Sequence, residues 1–134
     1  MAETKAPAQR PLSPHLQIYR LTLSMVMSGV HRITGMALCV GMLVLTWWLL
    51  AAAAGANSYE TFHAFATNWI GRLILFGFTW ALIHHLIGGI RYFIWDLGYG
   101  LGPEEREWLI RANLIGSIVV TLLLWVVLAM SGMR

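Results

Sequence analysis

The segment HHLIGGIR, at positions 84 to 91, combines residue types that can bind a cofactor: His84, His85, Gly88, Gly89 and Arg91. A neutral imidazole is a common axial ligand of haem iron, and glycines leave room for a flat group or for another backbone. A guanidinium can bind carboxylates such as those of a porphyrin. Helix packing is the alternative, because a membrane histidine can hydrogen-bond another helix and a glycine can be a packing notch.

A second candidate cluster lies in SMVMSGVHRITG, at positions 24 to 35. Ser24, Ser28, His31 and Gly35 follow one another at spacings that place them on one helical face, and Arg32 lies four residues after Ser28. An arginine at a membrane-helix centre costs about 2.5 to 3.5 kcal/mol, so such groups usually face a partner or a cavity. For Arg32, extension of the side chain toward the interface is the alternative.

Three apolar segments are long enough to position these residues in a bilayer, which requires about 20 residues per helix. They cover roughly residues 25–54, 69–95 and 112–130. The chain has 134 residues, of which 58% are hydrophobic and 11% charged. We therefore predict an all-α membrane protein with three transmembrane helices in an up-down-up bundle, formed by residues 25–134.

A proline-containing N-terminal segment, residues 1–24, precedes this anchor domain, and its prolines exclude a regular helix before about His15. Seven of the nine Lys and Arg residues lie in this segment, near the start of the first span or around the loop between spans two and three. This bias predicts a cytoplasmic N-terminus in a bacterial inner membrane, or a matrix N-terminus in a mitochondrial one. The basic residues do not cluster, which gives no case for nucleic acid.

The depths of the histidines limit which of them can be axial ligands. His85 lies about 15 Å from the inner end of span two and His31 about 9 Å from its own inner end, at 1.5 Å per residue. This offset disfavours the pair as two ligands of one iron, and it suits His31 and Arg91 as contacts of the haem propionates. A partner subunit would then supply the second axial ligand.

Three stretches of the chain resemble signatures of the cytochrome b membrane-anchor subunits (C subunits) of succinate dehydrogenase, respiratory complex II. They are RPLSPHLQIYR at 10–20, SGVHRITG at 28–35 and HLIGGIRYFIWDLG at 85–98. The resemblance implies a second anchor subunit that shares one haem b, and an iron-sulfur protein and a flavoprotein docked on the inner side. Electrons from succinate would pass through them to ubiquinone, and this chain would have no activity on its own.

Carried over residue by residue, the resemblance implies that His85 is the axial ligand of the haem iron and that His31 contacts the propionates. It also implies that Ser28 and Arg32 line the quinone pocket. Tyr92 departs from the family, which commonly has a histidine there, and the neighbouring His84 makes the axial assignment ambiguous, although the four-residue spacing to Gly89 favours His85.

Three other interpretations stay open at this point. The chain could be a purely structural anchor, a subunit of a related quinone-linked complex such as fumarate reductase, or a small transporter or channel subunit. The transporter interpretation requires polar residues throughout the membrane, whereas residues 36–50 and 73–83 contain little beyond Thr46 and Thr79.

Overall fold

The computed structural model describes residues 20–132, which form four α-helices and no strand. They are α1 (Leu23–Ala54), α2 (Ala56–Thr67), α3 (Trp69–Asp96) and α4 (Pro103–Met130). The predicted N-terminal segment lies outside the described residues except for its last five positions. Its boundary with the anchor domain therefore stays a prediction.

Three of the helices are long and apolar enough to cross a membrane, namely α1 with 32 residues and α3 and α4 with 28 each. At 1.5 Å per residue the shorter two extend about 42 Å, more than a hydrocarbon core of about 30 Å. Their ends therefore reach the headgroup layers. The predicted all-α class with three membrane-spanning helices is confirmed.

Helix α4 begins at Pro103, well before the apolar span predicted from about residue 112. Proline is tolerated in the first turn because its missing N–H would be unpaired there. Glu104 and Glu105 follow in the same turn, where carboxylates interact favourably with the helix dipole. The first turns are helical but charged, so a search for apolar residues cannot detect them.

Helix α2 was not predicted, because twelve residues of mixed polarity are too short to span a bilayer. Gly55, with φ of 105°, separates it from α1. The Phe62 ring packs edge-on against Trp47 of α1 with centroids 5.0 Å apart. The link between α1 and α3 is thus a short helix folded back on the end of α1.

The interior of the bundle is unusually polar. Helix α3 packs along both α1 and α4, which meet each other much less. The buried polar residues are Thr34, His84, Arg91, Asn113, Ser117 and Thr121, and the buried apolar ones are Met27, Ala51, Phe62, Ala81 and Ile110. Since lipid cannot hydrogen-bond, polar side chains are better placed between helices, while most large apolar side chains face outward.

Candidate functional site

The site is built around His85 of α3, whose ring is held against α1 by its Nδ1 atom. Nδ1 lies 3.1 Å from the His31 carbonyl oxygen and 3.4 Å from Thr34 Oγ1. The Thr34 hydroxyl donates its single proton to the same carbonyl at 2.9 Å, so both groups can only accept from His85. The proton of a neutral His85 is thereby fixed on Nδ1, and Nε2 keeps its lone pair.

The His31 ring is stacked face to face on His85, with centroids 3.9 Å apart and planes inclined by 5°. The depths of His31 and His85 estimated from the sequence differ by about one helical turn. Their side chains nevertheless come into contact. Two ligands on opposite sides of one metal point their nitrogens at each other through it, which stacked rings do not do. His31 and His85 are therefore not a pair of axial ligands in this geometry.

Glycines determine how closely these rings approach the helices. A Cβ atom at Gly35 of α1 would lie 3.1 Å from His85 Cε1, and one at Gly88 would lie 2.6 Å from His31 Nδ1. A Cβ at Gly89 would meet nothing within 4 Å. Gly88 therefore makes room for His31 inside the bundle, while Gly89, one turn along α3 from His85, borders open space.

His84, the neighbour of His85, points into a different part of the molecule. Its side chain is fully buried, and its Nδ1 lies 3.1 Å from Ser117 Oγ of α4. The two adjacent histidines thus face different helices, His85 toward α1 and His84 toward α4.

Arg91 is buried, with 3% of its surface exposed. The guanidinium carbon lies 4.9 Å from the Trp95 ring centroid and 5.4 Å from that of Tyr92. Within residues 20–132 neither Nε nor Nη1 has a hydrogen-bond partner. A buried cation with unused donors is suited to an acidic group from outside the chain, since leaving it unpaired is costly.

The comparisons with known proteins agree with the resemblance found in the sequence. Residues 6–128 match the family model described as succinate dehydrogenase/fumarate reductase transmembrane subunit. The chain belongs to this family. Membership, together with the three long apolar helices, identifies it as a multi-pass membrane-anchor subunit and removes the transporter and channel alternative.

Curated relatives carry consistent names. The succinate dehydrogenase cytochrome b556 subunit of Paracoccus denitrificans is 42% identical over 118 residues, which are 88% of this chain and 91% of the relative. The subunit of the same name from Rickettsia felis is 37% identical over 118 residues, 88% of this chain and 92% of the relative. The mitochondrial cytochrome b560 subunit of Sus scrofa is 40% identical over 98 residues, 70% of this chain and 57% of the relative.

The two residues of this anchor subunit that are predicted to line a quinone pocket both lie on α1. Ser28 is half-buried and Arg32 is exposed, one turn apart on the helix. Tyr92 lies near the predicted propionate end, since its ring centroid is 5.2 Å from that of His31. Its hydroxyl can donate a hydrogen bond where the family commonly has an imidazole.

The contribution of α4 to the anchor's interior was not predicted from the sequence. Asn113, Ser117 and Thr121 are each exposed by 1% or less and form one stripe against α3. Their four-residue spacing in an otherwise apolar helix was a detectable signal of a buried face. The spacing does not show which residues of α1 and α3 the stripe contacts.

Proposed function

We propose that this chain is the cytochrome b anchor subunit of a succinate:quinone oxidoreductase, and that His85 is one axial ligand of a haem b. The observation that carries the proposal is the hydrogen bond from His85 Nδ1–H to the His31 carbonyl, which leaves Nε2 as a bare lone pair. Metal-binding histidines usually donate their other N–H to a carbonyl or carboxylate in this way. The relatives' cytochrome names support the same cofactor.

The surroundings of His85 fit a flat macrocycle. Gly89 lies one turn away on the same face and borders open space. His84 is fully buried against α4, with its Nδ1 next to Ser117, whereas His85 is only half-buried, which favours His85 as the ligand. The haem, once bound, would supply a one-electron carrier within the membrane domain.

The propionate carboxylates would bind near the inner face, at Arg91 and His31. Arg91 offers Nε and Nη1, both without partners in residues 20–132. Each of these donors can form a charge-assisted hydrogen bond with a carboxylate oxygen, and the guanidinium carbon lies over the Trp95 ring. His31 would donate a single hydrogen bond from its ring.

Ubiquinone would bind against Ser28 and Arg32 of α1. The Ser28 hydroxyl can hold a carbonyl oxygen of the headgroup, and the Arg32 guanidinium can stabilise negative charge as electrons arrive. Arginine does not release its own proton at neutral pH, so the two protons of quinone reduction come from water or a partner residue.

The remaining parts belong to partner subunits. A sister anchor subunit would supply the other axial histidine, and the iron-sulfur and flavoprotein subunits would dock on the side of the N-terminus. The bias of basic residues supports a cytoplasmic location for that side in a bacterium, or a matrix location in a mitochondrion. Succinate would be oxidised in the flavoprotein and would not contact this chain.

The experiment is a reduced-minus-oxidised spectrum of the affinity-purified complex, with His85→Leu compared with the matched variant His63→Leu. His63 is an exposed histidine on α2, away from the site. We expect one b-type haem in the unsubstituted complex, an unchanged spectrum in His63→Leu, and loss of the haem or a change of its ligation in His85→Leu. An unchanged haem spectrum in assembled His85→Leu complex would exclude His85 as the ligand, as expected for a purely structural anchor.

A further inference from the structure

Asn113 of α4 is a buried polar residue to which the proposed function gives no role. Only 1% of its surface is exposed, and neither Oδ1 nor Nδ2 has a hydrogen-bond partner among residues 20–132. Leaving a buried amide without hydrogen bonds costs the free energy of its lost hydration. A buried amide without a partner in that part of the chain therefore indicates a bound group at this position.

The position of the Asn113 amide is fixed by its relation to Gly88 and His31. A Cβ atom built on Gly88 would lie 3.4 Å from Asn113 Nδ2 and 2.6 Å from His31 Nδ1. The two nitrogens are therefore no more than about 6 Å apart, yet they form no direct hydrogen bond. One water molecule can bridge two polar atoms within this limit, since each hydrogen bond is about 2.7 to 3.2 Å long.

We propose that one ordered water molecule at the meeting point of α1, α3 and α4 connects Asn113 to His31. The water accepts a hydrogen bond from Asn113 Nδ2 and donates one to His31 Nδ1, which is also buried and without a partner. Buried waters of this kind typically make about three hydrogen bonds to otherwise unpaired polar groups.

This bridge determines which nitrogen of His31 carries the proton. If Nδ1 accepts a hydrogen bond from the water, a neutral His31 has its proton on Nε2, because the two ring nitrogens share one proton. Nδ1 faces Gly88 and Asn113 in the bundle interior, so Nε2 is the nitrogen available to a group outside it. Asn113 is thus a positioning residue that makes His31 a hydrogen-bond donor.

The consequence for the haem rests on the proposed function, in which His31 Nε2–H would donate to a propionate. Losing that donor leaves the carboxylate charge less compensated, which stabilises the oxidised haem and lowers its reduction potential. Asn113→Leu has a similar size but no amide. Ser117→Ala is the matched control, since it removes a buried hydrogen bond one turn further along α4, to His84 instead of His31.

The first measurement is a map of the unsubstituted, fully assembled complex at a resolution that shows ordered water. We expect a peak within hydrogen-bonding distance of Asn113 Nδ2 and His31 Nδ1. A direct bond between the two side chains, a partner-subunit group in that position, or no peak at all would overturn the proposal. This test does not depend on the haem, whose absence would instead refute the proposed function.

The second measurement is the haem midpoint potential and haem content of both variants. We expect a lower potential with unchanged haem content in Asn113→Leu, and an unchanged potential in Ser117→Ala. Equal potentials in the two variants would contradict the role of Asn113 in orienting His31, even if the water is present. If Asn113→Leu fails to assemble, the map of the unsubstituted complex still shows whether the water is present.

Discussion

Replacing Gly88 with alanine tests the close approach of three helices at the site. The new Cβ would lie 2.6 Å from His31 Nδ1 and 2.9 Å from Cε1, whereas ordinary contacts begin at 3.4 Å. The His31 ring must therefore move by roughly 0.8 Å or more. It has little freedom to do so, because its face is stacked on His85 at 3.9 Å.

The expected cost is about 1 to 3 kcal/mol, the usual range for an extra methyl group in a well-packed interior. Alanine also favours a helix over glycine by about 0.5 to 1 kcal/mol, which would partly hide this cost. Gly77→Ala is the matched control on the same helix, since its Cβ would meet nothing within 4 Å. The difference in stability between the two variants cancels the gain in helix propensity and leaves the cost of the steric clash.

The assay is thermal denaturation of the assembled complex in detergent, monitored by size-exclusion chromatography. The haem spectrum is recorded for the same samples. We expect Gly88→Ala to denature at a lower temperature than Gly77→Ala and to show a perturbed haem spectrum. If the two variants have the same stability and the same spectrum, His31 is not confined against Gly88 as the structure shows.

Two further predictions concern the polar side chains of the site. Arg91→Lys keeps the charge but loses the guanidinium donors and their contact with the Trp95 ring. We therefore expect haem to transfer to apomyoglobin about 5- to 30-fold more readily, corresponding to about 1 to 2 kcal/mol, and no change in the exposed control Arg72→Lys. Equal transfer in both variants would contradict a role for Arg91 at the haem. Ser28→Ala should raise the KM for quinone about 2- to 10-fold, because it loses a hydrogen bond of about 0.5 to 1.5 kcal/mol. Arg32→Leu should raise the KM by more, because a hydrogen bond to a charged group contributes about 1.5 to 3 kcal/mol. Steady-state quinone reduction at constant haem content measures both effects, and unchanged KM values would place the quinone elsewhere.

The three long helices could be predicted because their signal is local. About 20 consecutive apolar residues are sufficient evidence of a membrane span, whatever the helix packs against. Helix α2 and the start of α4 lacked that signal, since their residues are polar or charged and their helical state depends on capping and packing. The first turn of α4, for example, contains Pro103 and two glutamates.

The candidate site was predictable as residue types on helical faces, but not as contacts. Spacing placed His85 with Gly89 on one stripe and His84 with Gly88 on the next. The stacking of His31 on His85 and the proximity of Asn113 to Gly88 depend on how α1 and α4 are tilted and rotated against α3. Those angles arise from packing along the whole length of the helices, which one short motif does not contain.

The orientation of His85 depends on a main-chain atom, the carbonyl oxygen at position 31. Every amino acid carries that oxygen, so exchanging the imidazole there leaves the acceptor in place as long as the helix persists. Genetic variation can therefore alter what residue 31 offers to its surroundings while the neighbouring ring keeps its tilt and tautomer. The two roles of position 31 are therefore separable: the backbone carbonyl orients His85, and the side chain contacts its surroundings.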